Sequence, residues 1–234
     1  MADEATEAPR GGRPTAPDEQ PEALDRARVP AHVALLATDE GPGGRPAAGG
    51  GLLDLVEGAL LVGLRWLTVQ GSDGAAASPL AAEGAALLAA HGDQLASTGV
   101  AVRVAAPADP ALGPHLGGQP APGEPVLTLT LAVGGSGRAE IVAALEALRR
   151  GGAAPAEVTE DALRAGLTWP DLPDPDLVVI TSGDRRVPDF FLWQVAYSEF
   201  VFSDEPWPAF SRTRLYEAVV EFQRRDRRFG GVPT

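Results

Sequence analysis

Apolar residues along this chain fall into short strand-like runs separated by stretches with helical spacing, and the two periods alternate from Val33 to the C-terminal region. Val33–Ala37 is a first apolar run, opening from Pro30 and ending in Thr38, Asp39, Glu40 and a Gly/Pro-rich loop through Gly51. Leu52–Leu64 then places Leu52, Leu55, Val56, Ala59, Leu60 and Gly63 at helical spacing, and Trp66–Val69 reads as a second strand. Strand, loop, helix, strand is a βαβ opening. Leu80–Leu95 is Ala-rich and helical, Val100–Val104 is a third strand, Val126–Val133 a fourth, and Glu140–Arg150 a helix following Gly137. Leu177–Ile180, Phe190–Ala196, Glu199–Phe202 and Thr213–Arg228 complete the alternation of strands and helices. It predicts an α/β fold with a mainly parallel central sheet flanked by helices. Leu177–Ile180, bounded by Pro175 and Gly183, is short, apolar and β-branched, as suits a strand buried on both faces.

Composition sharpens this picture. Residues 1–28 mix Glu, Asp, Pro, Ala and Arg without an apolar period and read as a disordered leader, leaving 29–234 as a single domain. At 234 residues and 44% apolar content there is room for a real core. The sequence has no cysteine, which excludes a disulfide framework, a thiolate metal site and a cysteine nucleophile. No basic segment precedes an apolar run at the N-terminus and no apolar stretch is long enough to span a bilayer, so the expected location is cytoplasmic. A formal charge of -13 disfavours nucleic acid as a partner. All 19 basic residues are Arg, which reads as coding bias in a chain rich in Ala, Gly and Pro.

The candidate chemistry lies between Asp174 and Gly231. In an open parallel sheet, ligands bind beyond the carboxyl ends of the strands, where Thr181, Ser182, Gly183, Asp184, Arg185 and Arg186 would follow Ile180. Small residues let backbone N–H groups approach an anion, and a guanidinium can fork onto two phosphate oxygens. The expectation is a phosphate or diphosphate site. Gly134-Gly135-Ser136-Gly137-Arg138 offers a second, weaker phosphate signal at a helix start, against which stands a plain flexible turn.

This block resembles the cis-prenyltransferase family, of the undecaprenyl diphosphate synthase type. The resemblance rests on Asp176-Leu177, Thr181-Ser182-Gly183-Asp184, Arg186, Phe190-Phe191-Leu192-Trp193-Gln194, Ala196-Tyr197-Ser198-Glu199-Phe200, Trp207-Pro208-Ala209-Phe210 and Arg227-Arg228-Phe229-Gly230. It implies the family's fold. It also implies diphosphate contacts from Ser182, Asp184, Arg185 and Arg186, and a Mg2+-binding role for Glu199. The family's terminal Arg-x-Gly reaches the active site across a dimer, which assigns that part to Arg228 and Gly230.

The N-terminal half departs from the family pattern. His32-Val33-Ala34-Leu35-Leu36 matches the opening strand, but the following Met-Asp-Gly-Asn-Gly-Arg-Trp loop is replaced by Ala37-Thr38-Asp39-Glu40-Gly41-Pro42-Gly43-Gly44-Arg45-Pro46. Asp39 sits one place late for the catalytic, metal-binding Asp, and Arg45 is the candidate for phosphate. The family's Ser-Thr-Glu-Asn-Trp is Leu67-Thr68-Val69-Gln70 and beyond, and the Arg before Thr-Ser-Gly is Ile180. That last change deletes a charge-assisted contact of roughly 1.5–3 kcal/mol.

An eroded N-terminal site beside an intact C-terminal block implies a catalytically impaired accessory subunit of polyprenyl diphosphate synthesis, lending Arg228 and Gly230 to a catalytic homologue. Two alternatives stand beside it. One is an active Mg2+-dependent enzyme condensing isopentenyl diphosphate with an allylic diphosphate, which requires Asp39 at the metal. The other is a prenyl diphosphate-binding protein without turnover. The resemblance further implies a homodimer or a heterodimer with a catalytic cis-prenyltransferase, and handling of isoprenoids is compatible with peripheral membrane contact.

Overall fold

The computed structural model describes residues 24–37, 51–71, 79–105, 117–119, 123–187 and 189–225. Seven strands form one sheet: β1 (His32–Ala37), β2 (Trp66–Gly71), β3 (Val100–Ala105), β4 (Gly117–Gln119), β5 (Leu127–Val133), β6 (Leu177–Ile180) and β7 (Glu199–Phe202). Their spatial order is β4-β3-β5-β2-β1-β6-β7, parallel throughout except for the antiparallel β3/β4 pair. Helices α1 (Gly51–Val62), α2 (Pro79–Ser97), α3 (Gly137–Arg150), α4 (Glu160–Ala165) and α5 (Arg212–Arg224) complete the layers. The expected α/β class with a parallel sheet is what the chain adopts.

Period-2 alternation sorts the strand side chains onto two faces. Val33, Leu35, Leu67, Val69, Leu129, Leu131, Val179 and Val201 point to one side, where the apolar stripes of α1, α2 and α5 cover them. Ala34, Leu36, Val178 and Ile180 point to the other, against Trp169, Leu172, Phe190, Phe191 and Val195. Every residue of β6 is buried, as a strand covered on both faces requires. Each fully buried Leu or Val contributes about 1.5–3 kcal/mol.

Several boundaries differ from the sequence reading. Leu24–Arg28, inside the segment read as leader, is placed: Arg26–Arg28 forms a 3-10 turn capped by Asp25. α3 begins at Gly137, three residues early, because Ser136 caps it by accepting from Ala139 N. α5 ends at Arg224 rather than Arg228, and Arg225 leaves in an extended conformation. Phe190–Tyr197 forms consecutive turns, with Phe191 at φ 46°. β4 and α4 are additional elements that short length and weak apolar content hid from the pattern.

The sheet order places a topological switch at β1, which is flanked by β2 on one side and β6 on the other. A crevice therefore opens beyond the carboxyl ends of β1 and β6, the position where parallel α/β sheets bind ligands.

Candidate functional site

The loop leaving β6 is built onto the end of β1. Thr181 donates from both its N–H and its hydroxyl to Leu36 O, at 3.3 and 2.9 Å. Ser182 and Gly183 then take positive φ, 66° and 72°, a geometry glycine adopts freely and serine does not. The reversed backbone is held from outside, since Ser182 N–H donates to Glu205 O at 2.8 Å and Gly183 N–H to Ser203 O at 2.9 Å. This corrects one expectation. The two N–H groups read as anion donors are committed to the backbone of residues 203–205.

What remains for an anion is the side chains. Arg185 and Arg186 project into solvent with side-chain exposures of 73% and 87%. Both have carboxylate neighbours. Arg186 makes a two-pronged bond to Asp184, Nε to Oδ1 and Nη2 to Oδ2 at 3.0 Å each, and its backbone N–H reaches Oδ1 at 3.1 Å. Arg185 lies 3.7 Å from Asp204. The Arg186 bonds hold the Asp184 carboxyl below the usual carboxylate range, and the same bonds raise the guanidinium's value. A diphosphate reaching Arg186 therefore exchanges one forked anion for another, an exchange that costs little at an exposed pair. Ser182, Asp184, Arg185 and Arg186 thus share the loop that leaves β6.

Glu199 is not among them. It is the first residue of β7, opposite Leu177 in the register, so it stands at the amino end of the sheet. The 181–186 loop stands at the carboxyl end, about 10 Å away along the strand direction. Glu199 Oε2 accepts from Arg225 Nη1 at 3.2 Å. Asp39, Arg45, Arg228 and Gly230 lie outside the described residues, although β1 brings Ala37, two positions before Asp39, to the crevice. Among the described residues no three His, Asp or Glu side chains come together in a way that could hold a metal ion.

The weaker phosphate signal at Gly134–Arg138 has an intramolecular explanation. Asp189 Oδ1 accepts from Arg138 N–H at 2.9 Å, its Oδ2 from the Ser136 hydroxyl at 2.5 Å, and its carbonyl from Gly137 N–H at 3.1 Å. The Ser136 bond, more than any other, holds the Asp189 carboxyl below its ordinary value. The anion at the α3 N-terminus is the protein's own. A nearby void of about 30 Å³ between Gln70, Glu140, Thr168 and Trp169 has room for one water.

A cleft of about 330 Å³ beside the loop, between β7 and α5, is lined by Asp204, Glu205, Glu217 and Glu221, with Arg214 as the cation among its lining residues. Its charge repels a diphosphate. Sequence reasoning missed the tertiary roles of Asp189 and Arg225, whose partners Arg138 and Glu199 lie 51 and 26 residues away. No helix among the described residues is long and apolar enough to cross a membrane.

Residues 121–230 match the family model described as "Putative undecaprenyl diphosphate synthase". Over 110 residues the chain is 46% identical to isoprenyl transferase 2 of Bradyrhizobium diazoefficiens, covering 45% of this chain and 44% of that protein. It is 47% identical over 110 residues to isoprenyl transferase 1 of Streptomyces coelicolor, covering 45% and 40%. The matches thus span less than half the length of these curated relatives. The fold extends further: lavandulyl diphosphate synthase from Lavandula x intermedia, solved with dimethylallyl diphosphate, superposes with a TM-score of 0.67 at 20% identity, over 87% of this chain and 99% of that one. Residues 121–230 are thus similar in sequence to the cis-prenyltransferase family, and the sheet that carries them has the fold of that solved synthase.

Proposed function

We propose that this chain acts in polyprenyl diphosphate synthesis as an accessory subunit, binding a catalytic cis-prenyltransferase and lending it the terminal Arg228-Phe229-Gly230. The supporting observation is the confinement of similarity to 121–230, which spares the C-terminal block while the segment after β1 lacks the family's Asn and Trp. The position of α5 agrees with this role. Its last residues lie at the amino end of the sheet, so the tail sets out from the end opposite its own 181–186 loop. On this reading 29–234 is one domain in the cytoplasm, and Ser182, Asp184, Arg185 and Arg186 keep a residual grip on diphosphate.

The second reading is an active homodimeric enzyme joining isopentenyl diphosphate to an allylic diphosphate. It is favoured by the exposed Arg185 and Arg186 at the β1/β6 crevice and by a fold shared with a synthase solved with dimethylallyl diphosphate. It calls on Asp39 and Glu199 for Mg2+ and on Arg45 for phosphate.

Incorporation of labelled isopentenyl diphosphate, with farnesyl diphosphate and Mg2+, separates the two. The accessory role predicts silence from the protein alone and a raised rate when it is co-expressed with a full-motif homologue from its own organism, a gain abolished by Arg228→Ala. Product from the protein alone makes it an enzyme. Farnesyl diphosphate binding without consumption or partner makes it a carrier or sensor.

A further inference from the structure

Glu199 occupies the sequence position of the family's metal carboxylate, but its surroundings are those of a structural ion pair. Arg225 Nη1 lies 3.2 Å from Glu199 Oε2 and 2.7 Å from Phe200 O, and Nη2 reaches Glu221 Oε1. The guanidinium thus already faces Oε2 of this carboxylate. Asp176, which lines the same cleft, accepts at Oδ2 from Ala31 N–H at 2.8 Å and His32 N–H at 3.2 Å. Mg2+ demands near-octahedral oxygen ligands. This end of the sheet offers it one carboxylate already faced by a cation and another engaged with the backbone.

The bonds radiating from Arg225 join three distant parts of the chain. Arg28 Nη2 donates to Arg225 O at 3.1 Å. Just before it, Asp25 N–H donates to Gln223 Oε1 at 3.1 Å and Gln223 Nε2 returns to Asp25 O at 2.7 Å. Glu199 and Ser203 donate their N–H groups toward β6, so alternation turns the Phe200 carbonyl to the outer edge of the sheet, where Arg225 caps it. An open edge carbonyl is a template for unwanted strand pairing, and a charged cap removes it.

We infer that Glu199 and Arg225 form a latch that ties the N-terminal turn, the edge strand β7 and the end of α5 together, and that Glu199 in this chain serves the latch rather than a metal ion. The latch fixes the point from which the residues after Arg225 depart. It is compatible with the accessory role and removes Glu199 from the metal site that the second reading calls on.

A double-mutant cycle on the intact protein tests it. Glu199→Gln and Arg225→Gln should each lower Tm by roughly 2–4 °C, and the double variant should fall no further than the worse single. Arg225→Lys should recover part of the loss. Additive falls would remove the latch. The metal role is addressed by magnesium pyrophosphate as a probe of thermal stability. The latch expects any shift seen in the wild type to persist in Glu199→Gln. A shift lost in Glu199→Gln but kept in Arg225→Gln returns Glu199 to the metal and overturns the inference. Neither readout needs turnover or a partner chain, so failure here leaves the proposed function untouched.

Discussion

His32 combines complete burial with two hydrogen bonds. Nδ1 lies 2.7 Å from Pro173 O, which can only accept, so Nδ1 carries the proton and Nε2 accepts from the Thr68 hydroxyl at 2.9 Å. Burial outweighs the Pro173 bond and the nearby Asp176 charge, and brings the pKa from 6.5 down to about 4. The neutral ring is therefore the folded form across most of the acid range. Below about pH 6.5 the unfolded chain binds a proton that the folded chain refuses until about pH 4. Stability is full above 6.5 and declines as pH falls through that window, by about 3 kcal/mol in all at 1.36 kcal/mol per pH unit. Urea midpoints between pH 7 and 4 should show that decline, and His32→Gln, less stable at pH 7, should flatten it. At this scale the sequence placed residues 182–186 in one loop after β6, because the turn residues and both guanidiniums follow that strand. It could not show that Ser182 and Gly183 spend their N–H groups on residues 203–205, or that Arg186 is forked by Asp184, since rotamers and loop closure are tertiary choices.

Elements with a clean period were legible and those governed by contacts were not. The stripes of α1 and α5 read as helices, but the reason they meet closely is Gly58. A Cβ built there would lie 2.7 Å from Arg212 Cβ and 3.2 Å from its Cα, while Arg212 N–H reaches Asp54 Oδ2 at 2.6 Å and its guanidinium reaches Glu57 at 2.8 Å. Gly58→Ala gains about 1 kcal/mol of helix propensity and loses about 1–3 kcal/mol to overpacking against a Cβ and backbone that cannot swing aside. The expected outcome is a net fall in thermal stability, measured against Gly63→Ala, where nothing lies within 4 Å of the added carbon but φ is 91°. Phe190–Ala196 misleads by its composition. Its apolar residues suit a helix, yet Gly137 lets α3 sit so close that a Cβ would come within 2.9 Å of Leu192 N. Packing against that turn, with Phe190 stacked on Phe191 at 4.2 Å, overrides local preference.

At the scale of the whole molecule, the two ends of the sheet do different work. The carboxyl end carries the exposed arginines, and the amino end carries the Glu199–Arg225 pair from which the tail departs. Order along the sequence concealed this separation, because Arg186 and Glu199 are only 13 residues apart, yet the turns at 190–197 bring the chain back so that β7 starts beside the start of β6. A site that combines this loop with this tail is consequently easier to build from two chains than from one, and the two proposed functions then differ in a measurable way. If the chain is an active homodimer, Arg186→Ala and Arg228→Ala each abolish turnover. Mixing the two under exchange should then restore about a quarter of wild-type activity, since half the dimers are mixed and each of those rebuilds one site of two. If the chain is an accessory subunit, the catalytic loop belongs to the partner, and Arg228→Ala should cost the complex far more than Arg186→Ala. Mixing the two variants in that case yields only the stimulation due to the fraction that retains Arg228. The dose response of partner activity to the ratio of the two variants therefore decides between a bell with its maximum at equal amounts and a line that rises with the Arg186→Ala share.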